Sequence, residues 1–266
     1  MLNQETIRSM KLFLFDLDGT LYLGDKLFDF TIPLLRRIRQ TGGRYLFMTN
    51  NSSKSVEEYV RKLEKLGIRA DREDFITSAQ ATSYYLLQNH PEKPLYVCGT
   101  ASFKAELMLA GLEVTEDPDK AECIVMGFDT ELTFQKLWNV SKLLLTRDIP
   151  YIATNPDYVC PTEFGSVPDC GSVCDMICNA TKKRPLVIGK PEALMPQLAM
   201  ARLGIDAAHT CCIGDRIYTD IRCGLNAGIT TLLVLSGEAT LLTLAESDIK
   251  PHFVLEDASE ILDALA

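Results

Sequence analysis

The chain has 266 residues, 47% hydrophobic and 24% charged, an ordinary globular composition with room for one large domain or two smaller ones. Its formal charge of −9 argues against DNA or RNA as the main partner, because such binding neutralises phosphates with Lys and Arg. No apolar stretch approaches the length of a membrane span, and the run Leu12 to Phe15 is too short for a signal peptide's hydrophobic region, so a soluble, cytoplasmic protein is expected.

In chain order, short apolar runs predict strands over Lys11–Phe15, Tyr45–Met48, Leu95–Cys98, Cys123–Gly127, Tyr151–Ala153, Leu186–Ile188, Cys211–Ile213 and Thr231–Leu235. The clearest helix begins at Ser55, with Glu58 three residues on in a capping-box pattern. Its apolar positions Val56, Tyr59, Val60, Leu63 and Leu66 recur at helical spacing, and Gly67 ends it. A second helix starts after Pro191 and carries Leu194, Leu198, Met200 and Ala201 up to Gly204. Strands alternating with helices predict an α/β fold built on a doubly wound parallel sheet. The nine cysteines include no Cys-x-x-Cys pair. Cys160, Cys170, Cys174 and Cys178 crowd one region, but no His accompanies them, and free thiols are a better reading than zinc. The basic run Lys182–Lys183–Arg184 reads as a solvated loop.

A parallel sheet of this kind binds ligands at the carboxyl ends of its strands. Polar residues follow the predicted strands there: Asp16, Thr49, Thr154, Lys190 and Asp215. There is also one internal echo, Phe-Met-Thr-Asn-Asn at 47–51 against Ile-Ala-Thr-Asn-Pro at 152–156. The sharpest feature is Asp16–Leu17–Asp18–Gly19–Thr20. Period-two geometry sets both carboxylates on one side, and such a pair needs a cation or a shared proton. A calcium-loop register fails, because Gly19 at the invariant sixth position puts Leu14 where a ligand is required. Gly214–Asp215–Arg216–Ile217–Tyr218–Thr219–Asp220 supplies two further carboxylates, hard oxygen ligands suited to magnesium. The loop Thr49–Asn50–Asn51 offers a hydroxyl and backbone N–H groups to a phosphoryl oxygen, and Lys190 offers it a point positive charge.

Taken in order, Asp-Leu-Asp-Gly-Thr, Thr-Asn-Asn, Gly-Lys-Pro and Gly-Asp-Arg-Ile-Tyr-Thr-Asp resemble the four motifs of the haloacid dehalogenase superfamily. The spelling is most similar to its NagD-type and para-nitrophenylphosphatase-like phosphatases, and the resemblance covers nearly the whole chain. It implies a Rossmann-like catalytic core over 1–79 and 185–266, with an inserted α/β cap over 80–184. It implies a magnesium-dependent phosphomonoesterase that acts on small phosphorylated metabolites through an aspartyl-phosphate. Asp16 would be the nucleophile and Asp18 the general acid and base. Magnesium would be held by Asp16, the backbone carbonyl of Asp18 and Asp215, with Asp220 orienting the site. Thr49, Asn50, Asn51 and Lys190 would hold the phosphate.

Relatives often pair through their caps, which implies a homodimer. The cap departs from the family pattern. Thr154–Asn155–Pro156–Asp157 matches, but Pro168–Asp169–Cys170–Gly171 stands where a Pro-Gly-x-Gly turn is common. Within residues 154–161, Asn155, Asp157 and Tyr158 are the candidates to face the leaving group. Two alternatives stay open: a phosphotransferase or mutase using the same intermediate, and a non-catalytic binding protein.

Overall fold

The computed structural model describes residues 2–162 and 164–266, and its chain divides into two compact units. The first comprises 1–49, 59–76 and 190–266; the second comprises 50–58 and 77–189.

The first unit is built on a six-stranded sheet. Its spatial order is Phe253–Leu255, Thr230–Val234, Thr210–Gly214, Leu12–Phe15, Arg44–Thr49, Phe75–Thr77. Numbered along the chain, these strands run 6-5-4-1-2-3, the doubly wound order. The pairings from Phe253–Leu255 through Arg44–Thr49 are parallel. All four residues of Leu12–Phe15 are fully buried, because helices cover both faces and leave no polar side for alternation. The order reverses between Leu12–Phe15 and Thr210–Gly214, where Phe15 stands opposite Ile213. Both chains leave the sheet there at their carboxyl ends, into Asp16 and Asp215.

The second unit carries a five-stranded parallel sheet in the order Leu186–Val187, Tyr151–Ala153, Cys123–Met126, Leu95–Cys98, Val114–Thr115. Its reversal lies between Leu95–Cys98 and Cys123–Met126. The helices Phe134–Thr146 and Cys170–Thr181 pack on this sheet through Val140, Leu143, Val173 and Ile177. A short antiparallel pair, Val159–Thr162 with Gly165–Pro168, extends from it.

The predicted strands are found within one or two residues of their expected ends. The short pieces Tyr22–Leu23, Lys26–Leu27, Phe75–Thr77, Val114–Thr115, Val159–Thr162, Gly165–Pro168 and Phe253–Leu255 were not predicted. They have two to four residues each, too few to show a period. The helix Val56–Lys65 begins with the expected capping box: Ser55 N donates to Glu58 Oε2 at 2.8 Å and Glu58 N to Ser55 Oγ at 3.3 Å. Leu194–Leu203 ends at Gly204 in the left-handed region, φ +64°. All nine cysteines are free, with the Cys170 and Cys174 sulfurs 3.9 Å apart. Among the described residues, no helix is long and apolar enough to cross a membrane.

Candidate active site

The site is assembled where the first sheet reverses. Asp16 continues directly from the buried strand Leu12–Phe15, and its N–H donates to the Ile213 carbonyl at 2.8 Å, fixing it beside the neighbouring strand. The chain must then turn sharply. Gly19 has φ +80°, and a Cβ there would lie 2.4 Å from Asp215 Oδ2, so only glycine serves both the turn and the close approach. Asp215 follows Thr210–Gly214, and Asp220 lies on the π-helical turn Ile217–Ile221. Such single π-helical turns recur at functional sites.

Lys190 ties these elements together. Its buried ammonium donates to Asp16 Oδ1 at 2.6 Å, to Asp220 Oδ1 at 2.5 Å and to the Met48 carbonyl at 3.2 Å. Burial alone would favour the neutral amine, but the adjacent Asp16 and Asp220 carboxylates overcome it and hold the ammonium well above its ordinary value. The second oxygen of Asp220 accepts from the Arg216 N–H at 3.1 Å. Thr49 is buried at the end of its strand.

Asp16, Asp215 and Asp220 each present one oxygen, and these lie within 4.8 Å of one another. Were all three ionised, the Lys190 ammonium would leave the cluster two charges short of neutrality. The titration behaviour reflects burial first and that imbalance second. Burial, and then the Asp16 and Asp220 charges, push Asp215 up to about 8. Burial also raises Asp16 to about 6, against the pull of Lys190. Asp18 is raised as well, by burial, with Lys62 pulling the other way.

The residues fit a hard divalent cation. The donors are carboxylates, the charge deficit is that of such an ion, and Asp215 Oδ1 is buried with no hydrogen-bond partner. Asp215 Oδ2 is engaged, accepting from the Glu238 N–H at 2.7 Å.

That last contact belongs to a segment the sequence reading missed, Ser236–Gly237–Glu238. Ser236 Oγ donates to the Gly19 carbonyl at 2.7 Å, and Glu238 pairs with Arg216 at 2.9 Å. A Cβ on Gly237 would sit 2.0 Å from Asp215 Oδ2. The signal was present, since a Ser-Gly-Glu stretch closely follows the strand Thr230–Val234, at the same end of the sheet as the other polar residues. Lys62 was also missed; its ammonium lies 3.9 Å from Asp18 Oδ2.

The structure thus brings Asp16, Asp18, Thr49, Lys190, Asp215 and Asp220 into the first unit. Asn50, Asn51, Asn155, Asp157 and Tyr158 fall in the second. There, Asn50 Nδ2 and Asn155 Nδ2 both donate to Asp157 Oδ2 at 2.9 Å, and Ser52 Oγ meets Thr154 Oγ1 at 2.9 Å. The echoed Thr-Asn pairs are therefore joined in one buried network through Asn50 and Asn155. Asn51 Oδ1 accepts from the Ser53 N–H and hydroxyl. Tyr158 is exposed.

The haloacid dehalogenase-like hydrolase family matches residues 13–113, and a second profile, HAD-hydrolase-like, matches residues 187–261. An acid sugar phosphatase of Staphylococcus aureus is 32% identical over 259 residues, which cover 97% of this chain and 99% of that one. The crystal structure of a 4-nitrophenylphosphatase from Thermotoga maritima superposes with a TM-score of 0.93 at 34% identity, over 98% of this chain and 99% of the other. A glycerol phosphate phosphatase from Mycobacterium tuberculosis, solved in complex with magnesium, gives a TM-score of 0.88 at 28% identity, over 98% of this chain and 77% of that one. With four ordered motifs, a doubly wound sheet and two relatives above 30% identity matched over 99% of their length, the chain belongs to the haloacid dehalogenase-like hydrolases, among the NagD-type phosphatases.

Proposed function

We propose that this enzyme hydrolyses small phosphorylated metabolites, with magnesium as cofactor and Asp16 as nucleophile. The observation that carries this reading is the position of Asp16, at the sheet's reversal point, bonded to a buried ammonium and within reach of a carboxylate that has an unpartnered oxygen. The named activities of the relatives support a phosphate monoester as substrate, and the magnesium complex of one of them supports the choice of metal.

In this mechanism a carboxylate oxygen of Asp16 forms a bond to phosphorus as the ester P–O bond breaks. Asp18 gives its proton to the departing oxygen, so the product leaves as a neutral alcohol. Asp18 then takes a proton from water, which attacks the aspartyl-phosphate and releases phosphate and free Asp16. Lys190 stabilises the negative charge on Asp16 and the transferring group, and Asp220 keeps that ammonium in place. Thr49 and the Asn50–Asn51 backbone would hold phosphoryl oxygens. Asp16, the Asp18 carbonyl and Asp215 would hold magnesium, which would neutralise charge on the phosphoryl group. Of the second-unit candidates, Tyr158 has an exposed side chain, while Asn155 and Asp157 hold the network around Asn50.

The compartment in this reading is the cytoplasm, since nine free thiols suit a reducing environment. In this reading the assembly is a homodimer, which rests on the family resemblance alone.

The test is phosphate release from 4-nitrophenyl phosphate and from glycerol phosphate, with magnesium, with EDTA, and in Asp16→Asn. Magnesium-dependent turnover that disappears in the variant is expected. Undiminished turnover in Asp16→Asn would remove Asp16 as the nucleophile.

A further inference from the structure

Asp18 is held differently from its neighbours. Its side chain is 42% exposed, against 15% for Asp16 and 1% for Asp220. Its hydrogen bond from the Gly24 N–H to Oδ1 is long, 3.5 Å. A carboxyl so placed samples more than one rotamer unless something else restrains it. A cation faces it from the helix Val56–Lys65. The Lys62 ammonium stands 3.9 Å from Asp18 Oδ2 and 4.2 Å from the centre of the Tyr22 ring.

Tyr22 is buried and belongs to the same turn as Asp18. The Gly19 N–H donates to the Tyr22 carbonyl at 2.7 Å, and Asp18 pairs with Tyr22 in an isolated bridge. A cation over an aromatic face is held there by the ring's quadrupole. Lys62 is therefore anchored on the turn whose carboxyl it faces, and its charge bears on the far oxygen from Gly24.

We propose that Lys62 is a positioning residue for Asp18: seated on the Tyr22 ring, it holds the Asp18 carboxyl in the orientation that protonates the leaving group. This rests on the assignment of Asp18 as general acid in the proposed function. The chemistry makes the two separable. A donor must stand within hydrogen-bond reach of the departing oxygen, and the need for it grows with the basicity of the leaving group. An alkoxide cannot depart without a proton, whereas 4-nitrophenolate is a stable anion and can. Loss of a group that positions the donor should therefore damage hydrolysis of an alkyl phosphate and nearly spare that of 4-nitrophenyl phosphate.

The experiment compares kcat/KM on glycerol phosphate and on 4-nitrophenyl phosphate, with saturating magnesium, for wild type, Lys62→Met and Lys62→Arg. Lys62→Met keeps an unbranched chain over Tyr22, and a thermal melt checks that it folds like wild type. It should lose about 10-fold or more on glycerol phosphate and less than about 3-fold on 4-nitrophenyl phosphate, given that general acids contribute about 10²–10⁴-fold. Lys62→Arg, which keeps the charge on the ring, should recover most of the loss. Equal losses on both substrates, or none on either, would overturn the inference while leaving the phosphatase assignment standing. Wild-type enzyme inactive on both esters would overturn the assignment and the inference with it.

Discussion

The chain builds a parallel sheet twice, and each sheet has one place where its strand order reverses. Fold alone would make both places ligand sites. In the first unit, the reversal carries Asp16, Asp215, Asp220 and Lys190, with a charge deficit and a buried carboxylate oxygen that lacks a partner. In the second, the chain fills the reversal itself. Asp129 meets Lys136 at 2.7 Å, and the Lys136 ammonium also reaches the Gly99 and Glu131 carbonyls. The Glu131 carboxylate accepts from the Ala101 N–H, the helix terminus where a ligand anion would otherwise bind. Phe103 packs so closely on Gly99 and Gly127 that a Cβ on either would come within 3.0 Å of its ring. One reversal is left with unmatched buried carboxylates and so invites a cation and a phosphate; the other has its buried carboxylate, Asp129, paired with Lys136 and is stoppered. Topology supplies the crevice, and side-chain charge decides whether it is a site.

The comparison is most strongly tested by Asp16→Asn. Removing the nucleophile from the first reversal should cut phosphate release by about 10³-fold or more. A variant within about 10-fold of wild type would mean that the chemistry lies elsewhere.

Gly237→Ala should come next, since its Cβ would lie 2.0 Å from Asp215 Oδ2. Displacing that carboxylate should lower kcat/KM by about 10–100-fold and weaken the magnesium requirement's midpoint, for a cost in stability of about 1–3 kcal/mol. A magnesium titration of activity, with a melt alongside, checks it; an unchanged midpoint contradicts the cradle described for Asp215.

The stoppered reversal should behave in the opposite way. Lys136→Met leaves the buried Asp129 carboxylate without its cation and should destabilise the protein by about 1–3 kcal/mol, the Lys being partly exposed. Turnover per folded molecule should stay within about 2-fold, because nothing in this crevice touches the reaction in the proposed mechanism. Chemical denaturation and activity at matched folded fractions separate the two effects.

The last expectation concerns pH dependence. Asp16 and Asp215 keep their protons to about 6 and about 8 in the folded protein, against an ordinary 3.8. Between the ordinary and raised values, the folded state binds more protons than the unfolded one. Stability without metal should therefore fall as pH rises from about 4 to about 8. Excess magnesium, which binds the ionised carboxylates, should flatten that slope. Melting temperatures in EDTA that stay level or rise across this range would contradict the raised values of Asp16 and Asp215.

Much of this difference was legible in the linear chain. Strands such as Leu12–Phe15 and Cys123–Met126 are continuous apolar runs because both faces of a parallel sheet are covered, so composition alone marks them. Asp16, Thr49 and Asp215 were readable because each directly ends or follows such a run, and strand direction carries them to one end of the first sheet. Lys190 also follows a run, but Leu186–Val187 belongs to the second sheet, so its place beside Asp16 was not readable that way. Local pattern could not say that Asp157 gathers Asn50 and Asn155, and it offered these cap residues only as candidates to face the leaving group. Nor could it show that Gly237 backs Asp215, or that Lys62 stands over Tyr22 beside Asp18. Those relations join segments far apart in the chain, and only packing sets their distances. The residue types and their place at strand ends were therefore determined by the sequence itself. Which carboxylates share a cation, which ammonium restrains the acid, and which of two similar crevices stays open were decided by the tertiary structure, because burial and a few ångströms of separation fix the balance of charge.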